Sequence, residues 1–271
     1  MSNCVLRLAL CLVCVLAYAG IARTQEHHHG DDEELHFSHP LIAESPSPDT
    51  KVRFDYFYRR FGRNADNAVE HNPRVEFEYA FRREFSIEID APYTFRRSDI
   101  TGNVNHADTL SVAVKLANFV FEKQHVLLDY GVEFGLPTGS DQKEIGSGHL
   151  VEIEPYFGAG LKKKKFEVVG FSSVGFLAHK NAADEEGNEF NYRFSLLLKP
   201  RPGIQPLIEM DGTTVLSGPE QGSTVVNISP GIKFAPPESE HWQFGIGAGF
   251  PVTHTKDFNT RLVVSIFYHF H

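Results

Sequence analysis

Cysteine is scarce in this sequence, and its positions are uneven. The chain has three cysteines in 271 residues, namely Cys4, Cys11 and Cys14. From residue 15 onward the sequence contains no thiol at all. Disulfide bonds, zinc–thiolate sites and cysteine nucleophiles are therefore excluded for everything after the first fourteen residues.

The sequence also lacks an apolar run long enough to span a membrane as a helix. The longest run extends from Leu8 to Ala22, follows Arg7 and contains several small residues. A spanning helix needs roughly 20 apolar residues, whereas a short apolar run behind a basic residue is typical of a secretory signal peptide. We expect residues 1–22 to be that peptide, with removal at Ala17-Tyr18-Ala19 or Gly20-Ile21-Ala22.

Positive charge is in deficit, and signatures of catalysis are sparse. The chain has 26 Lys and Arg against 35 Asp and Glu, a net charge of −9, which argues against a nucleic-acid partner because phosphates demand a basic face.

No Gly-x-Ser-x-Gly elbow occurs, and Ser147 near His149 is the closest approach to a Ser/His pair. We therefore expect neither enzymatic activity nor a cofactor.

The sequence is rich in alternation of apolar and polar residues. This dyad pattern is typical of β-strands with two different faces. About twelve such columns occur, which fits the even strand numbers of single-chain outer-membrane barrels. The columns cover residues 52–58, 75–81, 85–93, 110–116, 126–136, 151–159, 166–178, 190–198, 204–210, 226–234, 242–250 and 262–270.

The connections between these columns alternate in length. The short ones are residues 82–84, 122–124, 162–165, 199–203 and 235–237; the long ones are 61–72, 96–106, 137–148, 179–189, 211–222 and 252–259. A soluble β-sandwich shows the same dyad pattern, but its crossings do not predict this alternation. The pattern favours an all-β fold: an antiparallel transmembrane β-barrel over residues 51–271, with short periplasmic turns and longer extracellular loops.

The predicted inner face carries charged residues and many glycines. Inward carboxylates favour a cation-selective, acidic lumen, but paired charges that fill a closed interior are the alternative. Pro92, Pro155, Pro206 and Pro230 interrupt these strands, and each predicts a bulge or a strand end. The candidate lumen-lining residues are Arg53, Asp55, Glu76, Glu78, Glu88, Asp90, Asp129, Glu133, Glu152, Glu154, Arg193 and Glu209.

Four stretches carry a family resemblance. The segments at 135–140, 146–148, 152–160 and 244–251 are rich in Gly and Pro, and the chain closes on an aromatic strand. Together they resemble the outer-membrane transporter family named after the meta-pathway of phenol degradation. The resemblance implies location in the outer membrane of a Gram-negative bacterium, contact with its lipid, recognition of the last strand by the barrel-assembly machinery, and passage of small hydrophobic or aromatic solutes.

The region before the first strand, residues 23–50, combines histidines with acids. Imidazoles among carboxylates are candidate ligands for zinc, copper or nickel, and the residues concerned are His27, His28, His29, His36 and His39. A flexible, solvated tail is the alternative. A third interpretation is that residues 36–48 enter the barrel as a plug.

These patterns predict an outer-membrane channel for the passive passage of small solutes. Two other functions stay open at this point. One is a structural or adhesive barrel without an open pore, and the other is metal-related transport through the histidine-rich segment.

Overall fold

A computed structural model describes residues 35–62, 67–99, 102–178, 187–237, 239 and 241–270. The predicted signal peptide and His27, His28 and His29 lie outside these residues. Among the described residues, no helix is long and apolar enough to cross a bilayer. The strands are β1 Lys51–Arg60, β2 Val69–Arg82, β3 Phe85–Ser98, β4 Gly102–Ala107, β5 Leu110–Phe121, β6 Val126–Leu136, β7 Glu152–Lys163, β8 Phe166–Leu177, β9 Glu189–Leu198, β10 Ile204–Val215, β11 Thr224–Phe234, β12 Trp242–Pro251 and β13 Thr260–His269.

Twelve of these strands close into an antiparallel barrel. β1 pairs with β2 on one side and with β13 on the other, so that Phe54 lies opposite both Val75 and Ile266. The pairings β2–β3 and β3–β5 complete the ring, while β4 pairs with β3 alone. The predicted all-β barrel of twelve strands is confirmed.

Alternation of side chains builds the two faces of this wall. On β1, the Phe54 side chain is 39% exposed, whereas its neighbours Arg53 and Asp55 are at most 1% exposed. A soluble barrel would reverse this order, because water would then cover the polar face. The apolar exterior and polar interior are those of a barrel that is surrounded by lipid.

The two ends of the barrel differ. One end holds the start of β1 and the end of β13, where Lys51 pairs with His269, together with short turns such as residues 83–84 and 164–165. We call this the turn end. The opposite end, the loop end, holds longer connections, among them residues 137–151 and 252–259.

Three strands extend further than the alternation predicts, and one of them is β10, which continues to Val215 within the predicted loop 211–222. The stretch Phe61–Asn72 is predicted as a loop, but β2 already begins at Val69. Glu70 and Asn72 are buried on its inner face, so their polarity reflects an inward position rather than a loop. β3 likewise continues to Ser98 and forms a hairpin with β4, within the predicted loop 96–106.

The prolines within the strands differ from the bulges that the sequence predicts. Pro92, Pro155 and Pro230 lie inside β3, β7 and β11, and pairs are missing beside each of them, yet the register on either side is unchanged. The predicted bulges are therefore wrong at these positions, because the ladder tolerates a local loss of hydrogen bonds without a shift. Pro206 lies near the start of β10, just before its pairing with β9 begins at Leu207, as a strand end requires.

Candidate pore and the segment inside it

All twelve predicted lumen-lining residues lie on the inner face of the wall. Arg53, Asp55, Glu76, Glu78, Asp129 and Glu209 are at most 1% exposed. Glu88, Asp90, Glu133, Glu152, Glu154 and Arg193 are partly buried. The interior is therefore densely charged, as the sequence indicates.

Many of these charges form ion pairs. Lys51 Nζ lies 2.6 Å from Glu76 and 2.5 Å from Glu78, and Arg53 lies 2.8 Å from Asp55. Sequence reasoning did not single out Lys51 as a lumen residue, because a lysine at the first position of a strand is typical of an exposed end. The pairs neutralise part of the predicted acidic surface.

A second inward cation was also missed. Lys233 lies on β11 between the outward-facing Ile232 and Phe234 and is 1% exposed. The strict alternation of β11 placed this side chain inward, so the signal was present in the sequence. Its ammonium donates a hydrogen bond to the backbone oxygen of His39, a residue that precedes the first strand.

Residues 35–50, which we call the inserted segment, lie inside the barrel. Phe37 and Leu41 are 0% and 1% exposed, and with Ile42 they pack into an apolar cluster of inward-facing residues that includes Val169 and Phe267. Glycines of the wall make room for this packing. A Cβ at Gly160 would lie 2.7 Å from the Phe37 ring, and Leu41 lies against Gly231, Gly245 and Gly247 in the same way.

Charged side chains of the wall form hydrogen bonds with the backbone of the inserted segment. The Glu209 carboxylate accepts hydrogen bonds from three consecutive N–H groups, those of Leu41, Ile42 and Ala43, at 3.0–3.2 Å. Arg53 donates to the Leu41 oxygen at 2.5 Å. Hydrogen bonds to ionised groups are roughly twice as strong as neutral ones, so this segment is held by more than apolar contact.

The contacts also define the path of the inserted segment. The Ser38 N–H donates to Glu167 at the start of β8, near the turn end. Glu44 reaches Arg193, 3.7 Å away in the middle of β9. Asp49 then donates its backbone N–H to Glu78 and leads into β1 at the turn end. The segment therefore rises from the turn end to about mid-height and returns.

Above the inserted segment, a cavity of about 340 Å³ faces the loop end. Its floor includes the apolar side chains of Ile42 and Phe57. Its walls carry both arginines and carboxylates: Arg59, Arg74, Arg193, Arg261, Asp90, Asp108 and Asp211. Arg261 and Asp211 pair at 2.5 Å, so part of this charge is already compensated.

At the turn end of the inserted segment, histidines surround one carboxylate. Asp49 Oδ2 lies 3.2 Å from His39 Nε2, 3.8 Å from His36 Nε2 and 2.6 Å from His269 Nδ1. His36 and His39 are predicted metal ligands. Asp49 and His269 were not singled out, because they approach the other two only through folding of the inserted segment and closure by the last strand.

The closest approach to a catalytic pair lies in the connection between β6 and β7. His149 Nδ1 contacts Asp141 Oδ2 at 2.9 Å and Ser147 Oγ at 3.5 Å. The Gly148 N–H and the His149 ring lower the pKa of the Asp141 carboxyl below its usual range. A proton relay needs the serine and the acid on opposite ring nitrogens, whereas here both contact the same one. The arrangement organises a loop.

The chain is similar to known proteins in its fold. No protein-family model matches the sequence, and no curated protein matches it. Among solved structures, the chain is similar to the COG4313 outer membrane channel from Pseudomonas putida F1, with 13% identity over 90% of this chain and 100% of that chain and a TM-score of 0.65. It is also similar to the NanC porin, with 10% identity over 82% and 99% of the two chains and a TM-score of 0.55. The KdgM porin gives 11% identity over 81% and 99%, with a TM-score of 0.52. These three structures are outer-membrane channels or porins, and the similarity shows that the chain has their β-barrel fold.

Proposed function

We propose that this protein is an outer-membrane channel for the passive passage of small solutes. The observation that carries the proposal is the closed barrel with an apolar, exposed outer face and a charged interior that contains an open cavity. In this proposal the turn end faces the periplasm, lipid surrounds the strands, and the barrel-assembly machinery recognises β13.

The inserted segment is the plug of this channel. Its apolar side chains fill the barrel at mid-height, and its backbone is hydrogen-bonded to Glu209 and Arg53. These contacts would close the path between the loop-end cavity and the periplasm. Conduction therefore requires the segment to move relative to the wall, which it joins covalently at β1.

The solutes that suit this interior are small, amphipathic and preferably cationic. Glu133 on β6 and Glu152 and Glu154 on β7 form one acidic side of the barrel, whereas Glu88 and Asp90 on β3 lie within ion-pair distance of Lys115 and Arg74. Carboxylates along a pore favour cations. The apolar floor of the cavity suits a hydrophobic or aromatic group, which agrees with the solute class that the phenol-pathway family resemblance implies.

The test is conductance in planar bilayers with the chain that starts after residue 22. We expect this protein to conduct rarely, and a variant that lacks residues 25–48 to conduct steadily with cation selectivity. Deletion of residues 25–34 alone is the matched control and should leave the conductance low. Equal conductance in all three proteins would contradict the plug, and silence in all three, with folding shown by a heat-dependent gel shift, would contradict the channel.

A sealed structural barrel is the second candidate, and the buried inserted segment favours it. The same deletion separates the two functions, because a structural barrel stays silent or becomes unstable when its interior packing is removed. We propose no enzymatic role. Activity on phospholipid micelles that disappears in Ser147→Ala would contradict that statement.

A further inference from the structure

We propose that His36, His39 and Asp49 bind a divalent transition-metal ion of the zinc type at the turn end of the barrel. His36 and His39 lie where the inserted segment enters, and Asp49 lies where it leaves to begin β1. The three ligand atoms, two imidazole nitrogens and one carboxylate oxygen, all lie within 4.8 Å of one another.

The distances agree with a shared ion. Zinc binds imidazole and carboxylate at roughly 2.0–2.2 Å, so two of its tetrahedral ligands lie about 3.3 Å apart. His39 Nε2 and His36 Nε2 lie 3.2 Å and 3.8 Å from Asp49 Oδ2. Small side-chain movements would therefore bring the three atoms around one ion. The His36 side chain is 49% exposed, which gives the ion a path from solvent and leaves room for water as a further ligand.

Hydrogen bonds from its surroundings orient the Asp49 carboxylate for metal binding. Its Oδ1 accepts the backbone N–H of Thr50 at 2.7 Å, and the His269 ring contacts Oδ2 at 2.6 Å. Metal-binding groups commonly have such outer hydrogen bonds, which fix their orientation. The neighbouring cation, Lys51, is already paired with Glu76 and Glu78, so its charge is compensated within the wall.

A bound ion would join the two limbs of the inserted segment. His36 and His39 belong to the rising limb and Asp49 to the returning limb, and His269 connects Asp49 to the last strand. An ion that binds only this arrangement favours it by the factor 1 + [L]/Kd, which is about 100-fold at a metal concentration of 100 Kd. This consequence rests on the proposed plug, but the binding itself does not.

The experiment is calorimetric titration of the folded chain in detergent with ZnCl₂. His27, His28 and His29 are replaced by Ala throughout, so that only the proposed site is measured. We expect one ion per chain, with affinity at least about 100-fold weaker in His39→Ala and in Asp49→Asn, and about 10–100-fold weaker in His269→Ala. His254→Ala, an exposed histidine of the loop end, is the control and should bind as the parent does.

Asp49→Asn preserves size and shape, so a loss of binding there is not a consequence of misfolding when the heat-dependent gel shift is retained. The proposal is overturned if the parent binds no zinc, or if Asp49→Asn and His39→Ala bind it as tightly as the parent. Zinc binding with these losses supports the site even when deletion of residues 25–48 leaves conductance unchanged, a combination that would overturn the plug alone.

Discussion

Glu209 Oε1 accepts a hydrogen bond from the backbone N–H of Ile42 at 3.0 Å, across 167 positions of sequence. The same carboxylate also receives the N–H groups of Leu41 and Ala43. One side chain of β10 therefore holds the highest part of the inserted segment in place.

Replacement of Glu209 by Gln should loosen the inserted segment. The amide keeps the shape of the side chain but loses the negative charge, and hydrogen bonds to charged groups contribute about 1.5–3 kcal/mol each. We expect the probability of open-channel events to rise at least about tenfold in single-channel recordings, since 1.4 kcal/mol corresponds to a factor of ten. Glu122→Gln, in the exposed turn after β5, is the control. An open probability equal to that of the parent would show that Glu209 does not hold the segment.

A methyl group at Gly160 should displace Phe37. The added Cβ would lie 2.7 Å from the ring, closer than carbon atoms approach in folded proteins, so Phe37 has to move. We expect Gly160→Ala to increase opening in the same recordings, and Phe37→Ala to add little further effect in the double variant because both act on one contact. Gly170→Ala, on the adjacent strand with open space around the new Cβ, should leave opening unchanged. Equal effects of the two glycine variants would refute the contact.

A disulfide between the inserted segment and the wall should lock the channel closed. A Cβ at Gly245 would lie 3.5 Å from Leu41 Cγ, so cysteines at both positions come within reach of the bond geometry. Removal of residues 1–22 also removes all native thiols, so the introduced pair has no competitor. In a Glu209→Gln background, we expect Leu41→Cys with Gly245→Cys to be silent when oxidised and to conduct after dithiothreitol. Leu41→Cys with Gly170→Cys is the unlinked control, and conduction by the oxidised first pair would contradict the path of the segment.

Removal of two opposed carboxylates should weaken cation selectivity. Glu133 and Glu154 face each other across β6 and β7 on the acidic side of the interior. In the variant that lacks residues 25–48, Glu133→Gln with Glu154→Gln should move the reversal potential in a KCl gradient toward zero. The effect should be larger at 0.1 M salt than at 1 M, because the screening length falls from about 10 Å to about 3 Å. An unchanged reversal potential would place the selectivity elsewhere.

The strands were the predictable part of this molecule. Alternation is a local property, so residues such as Phe54 and Phe77 indicate their outward direction from their neighbours alone. The start of β2 was missed because His71-Asn72-Pro73 shows no alternation of apolar and polar residues and therefore resembles a loop. In the barrel, Asn72 is buried among polar partners. Where the barrel interior is polar, the inner face of a strand carries the same polar residues as a loop, so the sequence does not distinguish the two.

The interior was only partly predictable, for a different reason. The acidic side chains follow from strand direction, but their partners depend on which strands become neighbours. The sequence places His39 in a polar tail. Its burial depends on Asp49, which is close in sequence, and on Lys233 and His269, which are far away in sequence. No local pattern records such contacts.

The order of biogenesis follows from the partners of the inserted segment. Some of its partners lie on β1 and β2, but others lie on β8, β9, β10, β11 and β13, so part of its binding surface is synthesised long after the segment itself. The contact between Asp49 and His269 requires the end of the final strand. A wall that lacks β13 therefore lacks part of the surface that holds the inserted segment.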